Sequence, residues 1–534
     1  MLQPERAQTY PMVSLDVKAN KPMNFSISTT DKTEELKDTQ ALTRRWESTN
    51  WKKVEREVNR LQTRIAKATA EGKHSKAKRL QYLLTHSTSA KLLAVRKVTT
   101  NTGKRTAGVD GVKWSTSASK MRAVLELSDK RYRSNPLRRV YIDKKGKKEK
   151  RPLGIPTMYD RAMQTLYALA LEPIAETTAD SVSFGFRKGR SAKDAGEQVF
   201  NVLARKCSPE WIVEGDIKGC FDNISHDWLL ENIPMDGKVM KQFLKSGFVH
   251  QGELFPTGTG SPQGGAISSL YANMTLDGME ALIQDKYHRN SRGNIENHYR
   301  AKTKVNMVRY ADDFIITAST EEIAEEVKRL IAEFLSLRGL ALSEEKTAIT
   351  HIDNGFDFLG WTFRKFKGKL IVKPSKKSIK SITAKISTII LKEGKALSQK
   401  DLIRRLNSVI RGWTNYHRHV VASKAFSQVN NNIYLFLERW AKHRHPNKNS
   451  WWRLNRYWHE YNGKPWQFMA ENLRLINLRR VKVVRHPKLQ TSKNPFLDQS
   501  YFQKRKQQLS LLFAARNGEE MLEPYERETL MYAS

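Results

Sequence analysis

The chain has 534 residues, a net charge of +39 and 39% hydrophobic residues, with 12 Trp and 20 Phe, so it can build several cores and is not globally disordered. Such a field binds polyanions; with no apolar run of transmembrane length and no apolar h-region in the opening MLQPERAQTY, nucleic acid is a better partner than membrane. Cys207 and Cys220, with twelve residues between them, fit neither a disulfide framework nor a zinc knuckle, so free thiols in a reducing cytoplasm are expected and zinc is not.

Residues 1–40 are polar, with five bases against six acids, and read as a flexible leader. From Trp46 the pattern turns helical. Val54, Val58, Leu61 and Ile65 recur at spacings of three and four, and Leu80, Leu83 and Leu84 continue it. The basic residues between them fall largely on other faces, where solvation and nucleic-acid contact both stay open. A glycine-containing loop, 101-NTGKRTAGVDGVKW-114, comes next. Then 138-RRVYIDKKGKKEKRPLGIP-156 predicts a hairpin with a very basic tip around Gly146. A helix is expected over 160–175. Residues 209–365 alternate strands and helices, as an α/β layer does.

From Lys376 the helical period returns in three stripes. They are Ile379, Ile382, Ile386, Ile389 and Ile390; Leu402, Leu406, Val409, Ile410 and Trp413; and Phe426, Val429, Ile433, Phe436 and Trp440. Three such helices on short loops predict a small bundle. Between Arg364 and Ser510 there are 34 Lys or Arg against 6 Asp or Glu, and six of the Trp. Bases neutralise phosphates, and aromatic rings stack on unpaired bases. Trp413 and Trp440 fit the bundle core, whereas the pair Trp451-Trp452 is harder to bury. The last 24 residues carry five acids against two bases, for which we have no physical account.

The run 305-VNMVRYADDFIITA-318 has strand composition interrupted by adjacent acids, Asp312 and Asp313. Buried side by side, two carboxylates repel and lose hydration. One reading is a turn with solvated acids. The other is a hairpin presenting carboxylates to divalent cations, which needs a third carboxylate. Asp216 supplies it, at the end of the apolar run in 211-WIVEGDIKGCFDNISH-226. Mg²⁺ takes hard oxygen ligands and bridges carboxylates to phosphates.

Tyr310-Ala311-Asp312-Asp313 resembles the YxDD hairpin of reverse transcriptases, and Asp216 with Phe221 resembles their first catalytic motif. GVDG, RPLGIP, SFGFRKGRS, FDNISH and SPQGG, in that order, are similar to the blocks of group II intron reverse transcriptase–maturases. FDFLGW resembles their palm–thumb junction, and 411-RGWTNYH-417 their thumb, called domain X. The resemblance covers about 45–510. It implies an α+β right-hand polymerase with fingers and palm over 41–365, an α-helical thumb over 366–470 and a basic DNA-binding-like segment over 471–534.

It also implies roles. Asp216, Asp312 and Asp313 would hold two Mg²⁺ ions, with Asp312 the firmer ligand. Lys147 and Arg151 would meet the triphosphate of the incoming dNTP. Phe221 would exclude a 2′-hydroxyl, Gln263 would bond the sugar, and Lys346 would protonate pyrophosphate. Phe358, Leu359 and Gly360 would position the primer. Arg187 and Arg190 would follow the template, with a structural role as the alternative. Arg411, Trp413 and Tyr416 would meet RNA. Family members often end in an HNH endonuclease with Cys-x-x-Cys pairs, which this sequence lacks. The implied partners are intron RNA, an RNA template with a DNA primer, and a DNA target. The implied location is a bacterial cytoplasm, on the nucleoid when engaged with DNA. The alternatives are a splicing factor with a vestigial polymerase, against which the intact Asp216, Asp312, Asp313, Phe221 and Gln263 stand, and a host-adopted reverse transcriptase in repair or defence.

Overall fold

The computed structural model describes residues 29–143, 150–261, 264–290, 292–295, 301–461 and 463–514. Lys147 and Gln263 lie outside the described residues. The described residues begin with helix Thr29–Glu47, which packs on Ser117–Glu126, and continue with Trp51–Ala70, His74–His86 and Thr88–Thr100, which pack on the long helix Met158–Thr178. Asn50 caps the second by accepting the Lys53 N–H, and the face of Val54, Val58 and Ile65 is buried. The first helix starts at Thr29, inside the stretch read as leader. Eleven of its nineteen residues are Ala, Leu, Glu, Gln, Lys or Arg, which favour helix, and Leu42 anchors it in the core.

The expected hairpin forms. Strand Leu137–Asp143 runs antiparallel to Lys150–Ile155, with Arg138 opposite Ile155 and Asp143 opposite Lys150. Phe248–His250 joins it in parallel, and Glu253–Phe255 completes this sheet.

The central sheet is antiparallel, in the order Asn306–Tyr310, Asp313–Ala318, Trp211–Asp216, Ala348–His351. Its side chains alternate between two cores, as period two requires. Ile212, Val308 and Ile315 pack with Ala195, Val199 and Val202 of helix Ala192–Leu203. Val213, Met307 and Ile316 face the other way, onto Val327 and Ile331 of helix Glu321–Ser336. Both faces are covered, so the sheet's own end is where chemistry can sit.

Strands Phe356–Phe358, Trp361–Phe366 and Lys369–Pro374 lead to the thumb. This sheet straddles the expected boundary at 365, and Ser375 caps the first thumb helix. Helices Lys376–Leu391, Gln399–His417 and Ser423–Arg444 bury the three sequence stripes together. That core continues through Ile476 and Leu478, past the expected end at 470. The chain then returns to the palm. Helix Gln499–Ala514 sets Phe502 over Gly189, and Arg505 and His486 both reach the buried Asp194.

Candidate active site and nucleic-acid surface

Strands Asn306–Tyr310 and Asp313–Ala318 are joined by the two-residue turn Ala311-Asp312, with Tyr310 paired to Asp313. Two-residue hairpins need a left-handed residue in the turn. Ala311 takes that conformation, φ +58°, which is costly for a residue with a Cβ. The next strand places Asp216 directly opposite Asp313. The register of one sheet therefore brings Asp216, Asp312 and Asp313 to one end.

The electrostatics reflect three acids in a cleft. Desolvation raises the Asp312 pKa, and the charge of Asp216 adds to it. Asp313 is the most open of the three, yet desolvation and then the charges of Asp312 and Asp216 push it up to about 6. Lys346 donates a hydrogen bond to Asp216 Oδ2, an ammonium where a cation is wanted. That bond raises the lysine's own pKa. The donor set fits Mg²⁺, whose sites take few carboxylates and fill their remaining positions from water and substrate phosphates. Among the described residues no three His, Cys, Asp or Glu converge into a ready-made cage.

The turn stands on buried polar groups. A Cβ on Gly185, from the SFGFRKGRS block, would lie 2.4 Å from the Ala311 nitrogen. Asn273 Nδ2 donates to the Gly185 carbonyl at 2.8 Å. Arg309, immediately before Tyr310, is fully buried and donates to Asp277. No feature of the sequence pattern set Gly185, Asn273, Arg309 or Asp277 apart, because isolated polar residues become a network only once folded.

Around this centre, Arg151 is exposed on its strand, and its charge reaches Asp312. Phe221 is half-buried, on the short helix Cys220–Asn223. Its ring meets that of Phe186 edge-on at 6.5 Å. Phe186 is exposed, at φ +58°, and was not anticipated. Gly264 lies against the Gly154 carbonyl, so the SPQGG and RPLGIP blocks touch by backbone.

Several expected contacts are corrected. Arg187 is buried and forks onto Glu176 at 2.7 and 2.9 Å, and it also donates to the Asp180 and Ser183 carbonyls. Arg190 is closed off beside it, bonded to the carbonyls of Ser181, Ser183 and Thr491. Neither is open to a template; a guanidinium with many donors serves equally well as a buried brace. Tyr416 donates to the Leu359 carbonyl at 2.8 Å and stacks on Trp361 at 4.7 Å. Trp413 donates to Ser378 Oγ. Tyr416 thus pins thumb to palm, while Trp413 ties two thumb helices to each other, and both side chains are taken up by packing. Phe358 is buried, while Leu359 and Gly360 form a left-handed turn at φ +50° and +82°. Arg411 is half-exposed.

Three family models match in chain order. Residues 46–127 match the N-terminal domain of reverse transcriptase. Residues 142–363 match the reverse transcriptase (RNA-dependent DNA polymerase) domain. Residues 379–458 match the group II intron maturase-specific domain. The chain is 31% identical to the group II intron-encoded protein LtrA of Lactococcus lactis subsp. cremoris over 430 residues, 64% of this chain and 70% of that protein. It is 32% identical to protein YkfC of Escherichia coli K12 over 319 residues, 53% of this chain and 82% of that one.

The chain is a group II intron reverse transcriptase–maturase. It is an RNA-directed DNA polymerase with a maturase function. Nucleotidyl transfer by this family is metal-dependent, and its fold binds intron RNA and a template with its primer. Among the described residues no helix of this maturase is long and apolar enough to cross a membrane.

Proposed function

We propose that Asp216, Asp312 and Asp313 hold two Mg²⁺ ions and that DNA synthesis on RNA occurs at this sheet end. The observation that carries this is the pairing of Asp216 with Asp313 beside a turn whose carboxyls are held above their ordinary pKa. When bound, the ions stabilise charge on the attacking 3′ oxygen and the leaving pyrophosphate. Arg151 orients the dNTP triphosphate as a fork, and Lys147 assists. Phe221, braced by Phe186, closes the sugar pocket against a 2′-hydroxyl, and Gln263 bonds the sugar. The Leu359-Gly360 backbone seats the primer end. The 3′ hydroxyl gives up its proton to water as its oxygen bonds to the α-phosphorus; the bond to pyrophosphate breaks, and Lys346 Nζ gives its proton to the leaving oxygen.

The same protein binds its intron RNA to promote splicing, with Arg411 among the thumb cations, and copies the intron at a DNA target by target-primed synthesis. It works in the cytoplasm, on the nucleoid when engaged with DNA. The test is primer extension on an RNA template with Mg²⁺ and dNTPs. Asp312→Ala is expected to abolish extension while RNA binding survives. Extension that persists in this variant would overturn the assignment.

A further inference from the structure

Of the Trp in the basic C-terminal half, three are packed inward and three are not. Trp440 and Trp458 lie in the thumb core and Trp413 against it. Trp451 is 61% exposed, Trp466 47% and Trp452 37%. Large open aromatic surface in one place is a sign of a binding site.

The exposed three are held in place. Trp451 and Trp452 begin helix Ser450–Tyr457, whose cap, Asn449, accepts the Trp452 N–H at 2.8 Å. Trp466 comes from strand Lys464–Ala470. The rings of Trp451 and Trp466 meet edge to face, 5.7 Å apart and 68° between planes. Trp466 has φ +59°, in the left-handed region. Gln467 and Phe468 after it are both buried, so the strand's alternation breaks where the Trp466 ring turns outward.

The surroundings are cationic. Lys448 sits over Trp452, its ammonium 5.4 Å from the ring centre, and the His445 ring is at 4.9 Å. Arg456, one helical turn beyond Trp452, is exposed. Between residues 445 and 470 Glu460 is the one acid against four Lys or Arg. Exposed rings on a basic ground suit a polymer with both a phosphate backbone and free base faces. A duplex offers only the first; an unpaired stretch offers both.

We propose that Trp451, Trp466 and Trp452 form a stacking ledge for unpaired bases of RNA, separate from the polymerase cleft. The choice of RNA rests on the maturase assignment, because Trp451 and Trp452 lie within the maturase-specific match and Trp466 just beyond it. The ledge grips a loop or bulge while the surrounding cations hold its flanking phosphates.

The test uses the full chain and three fluorescently labelled probes: an RNA stem with a purine-rich loop, the same stem closed as a blunt duplex, and single-stranded DNA of the loop sequence. The Trp451→Ala/Trp466→Ala pair should weaken loop binding at least about tenfold, the scale of one lost base stack. Blunt-duplex binding and primer extension on a short template should be unchanged. Trp451→Phe/Trp466→Phe should retain most of the loop affinity, and loop RNA should quench the wild-type indole fluorescence more than that of the alanine pair. Equal losses for loop and duplex would overturn the ledge. So would single-stranded DNA bound as tightly as the loop. A concentration-dependent sedimentation coefficient that the alanine pair abolishes, with loop affinity intact, would make the patch a self-association face instead. Stimulation of intron splicing by the wild-type protein is scored separately, so failure of the maturase assignment is visible even where the ledge effect stands.

Discussion

The palm turn and the far thumb handle the same polymer by opposite means. At the turn, a few short carboxylates are fixed by groups that have no room to move: Gly185 under Ala311, Asn273 on Gly185, and the buried Arg309 beneath Tyr310. On the thumb, long cationic side chains stand in solvent around shallow surfaces. Phosphoryl transfer needs atoms held to a fraction of an ångström, whereas grip on a backbone is a sum over many weak contacts. The first design is broken by one methyl group. The second should barely notice the loss of a whole side chain.

Asp312→Ala is the extreme of the first kind. Gly185→Ala is the sharper probe, because it alters no charge and no reacting group. Its Cβ would meet backbone atoms of Tyr310 and Ala311 at 2.9 and 2.4 Å, which no rotamer change relieves. We expect extension to fall about 10²-fold, the scale of a misplacement near 1 Å, with RNA affinity close to wild type and a stability loss of only about 1–3 kcal/mol, the usual cost of overpacking. Near-normal extension would mean that the turn tolerates displacement, and the contrast with the thumb would fail.

The junction between the two regions carries the next effect. His417, buried at the end of helix Gln399–His417, has Nε2 2.9 Å from Ser378 Oγ and lies edge-on to Trp361. Burial, then the charge of Lys193, lowers its pKa to about 4. The folded state therefore refuses a proton that the unfolded chain accepts below its ordinary value of about 6.5. Stability is intact above that value and is lost as pH falls from there toward 4. At pH 5 the share from His417 is about 2 kcal/mol. His419, lowered to about 3, adds in the same direction. Denaturant melts at pH 7 and pH 5 should show this loss, and His417→Gln should remove its share of the slope. An unchanged slope in that variant would sink the assignment.

What the sequence revealed follows the same division. The three carboxylates were legible because ordered blocks carried them, and the thumb helices because 3.6-residue stripes bury one face. The function of charged residues inside blocks was not. Arg187 and Arg190 look like template contacts in a string of letters, since a guanidinium reads the same whether it meets phosphate or Glu176. The family resemblance assigns Tyr416 to RNA, whereas its hydroxyl is taken by the Leu359 carbonyl, 57 residues away. Pairings at that separation leave no local periodicity. The support under the turn was invisible for the same reason.

The smallest expected effect lies on the thumb itself. Lys376 and Lys380 border a groove of 490 Å³ between helices Lys376–Leu391 and Ser423–Arg444, with Ile379 and Phe436 in its wall. Lys380 is exposed. If this groove holds the primer–template backbone, Lys380→Ala removes at most one phosphate contact. Affinity should then drop only about 2–5-fold, and the log–log dependence on salt should flatten by about 0.7–0.9. Both quantities come from one fluorescence-anisotropy titration repeated at several salt concentrations. A loss of 100-fold from this one substitution would show that the thumb, like the palm, depends on single residues. A loss with no change in salt slope would mean that Lys380 acts through packing rather than through phosphate.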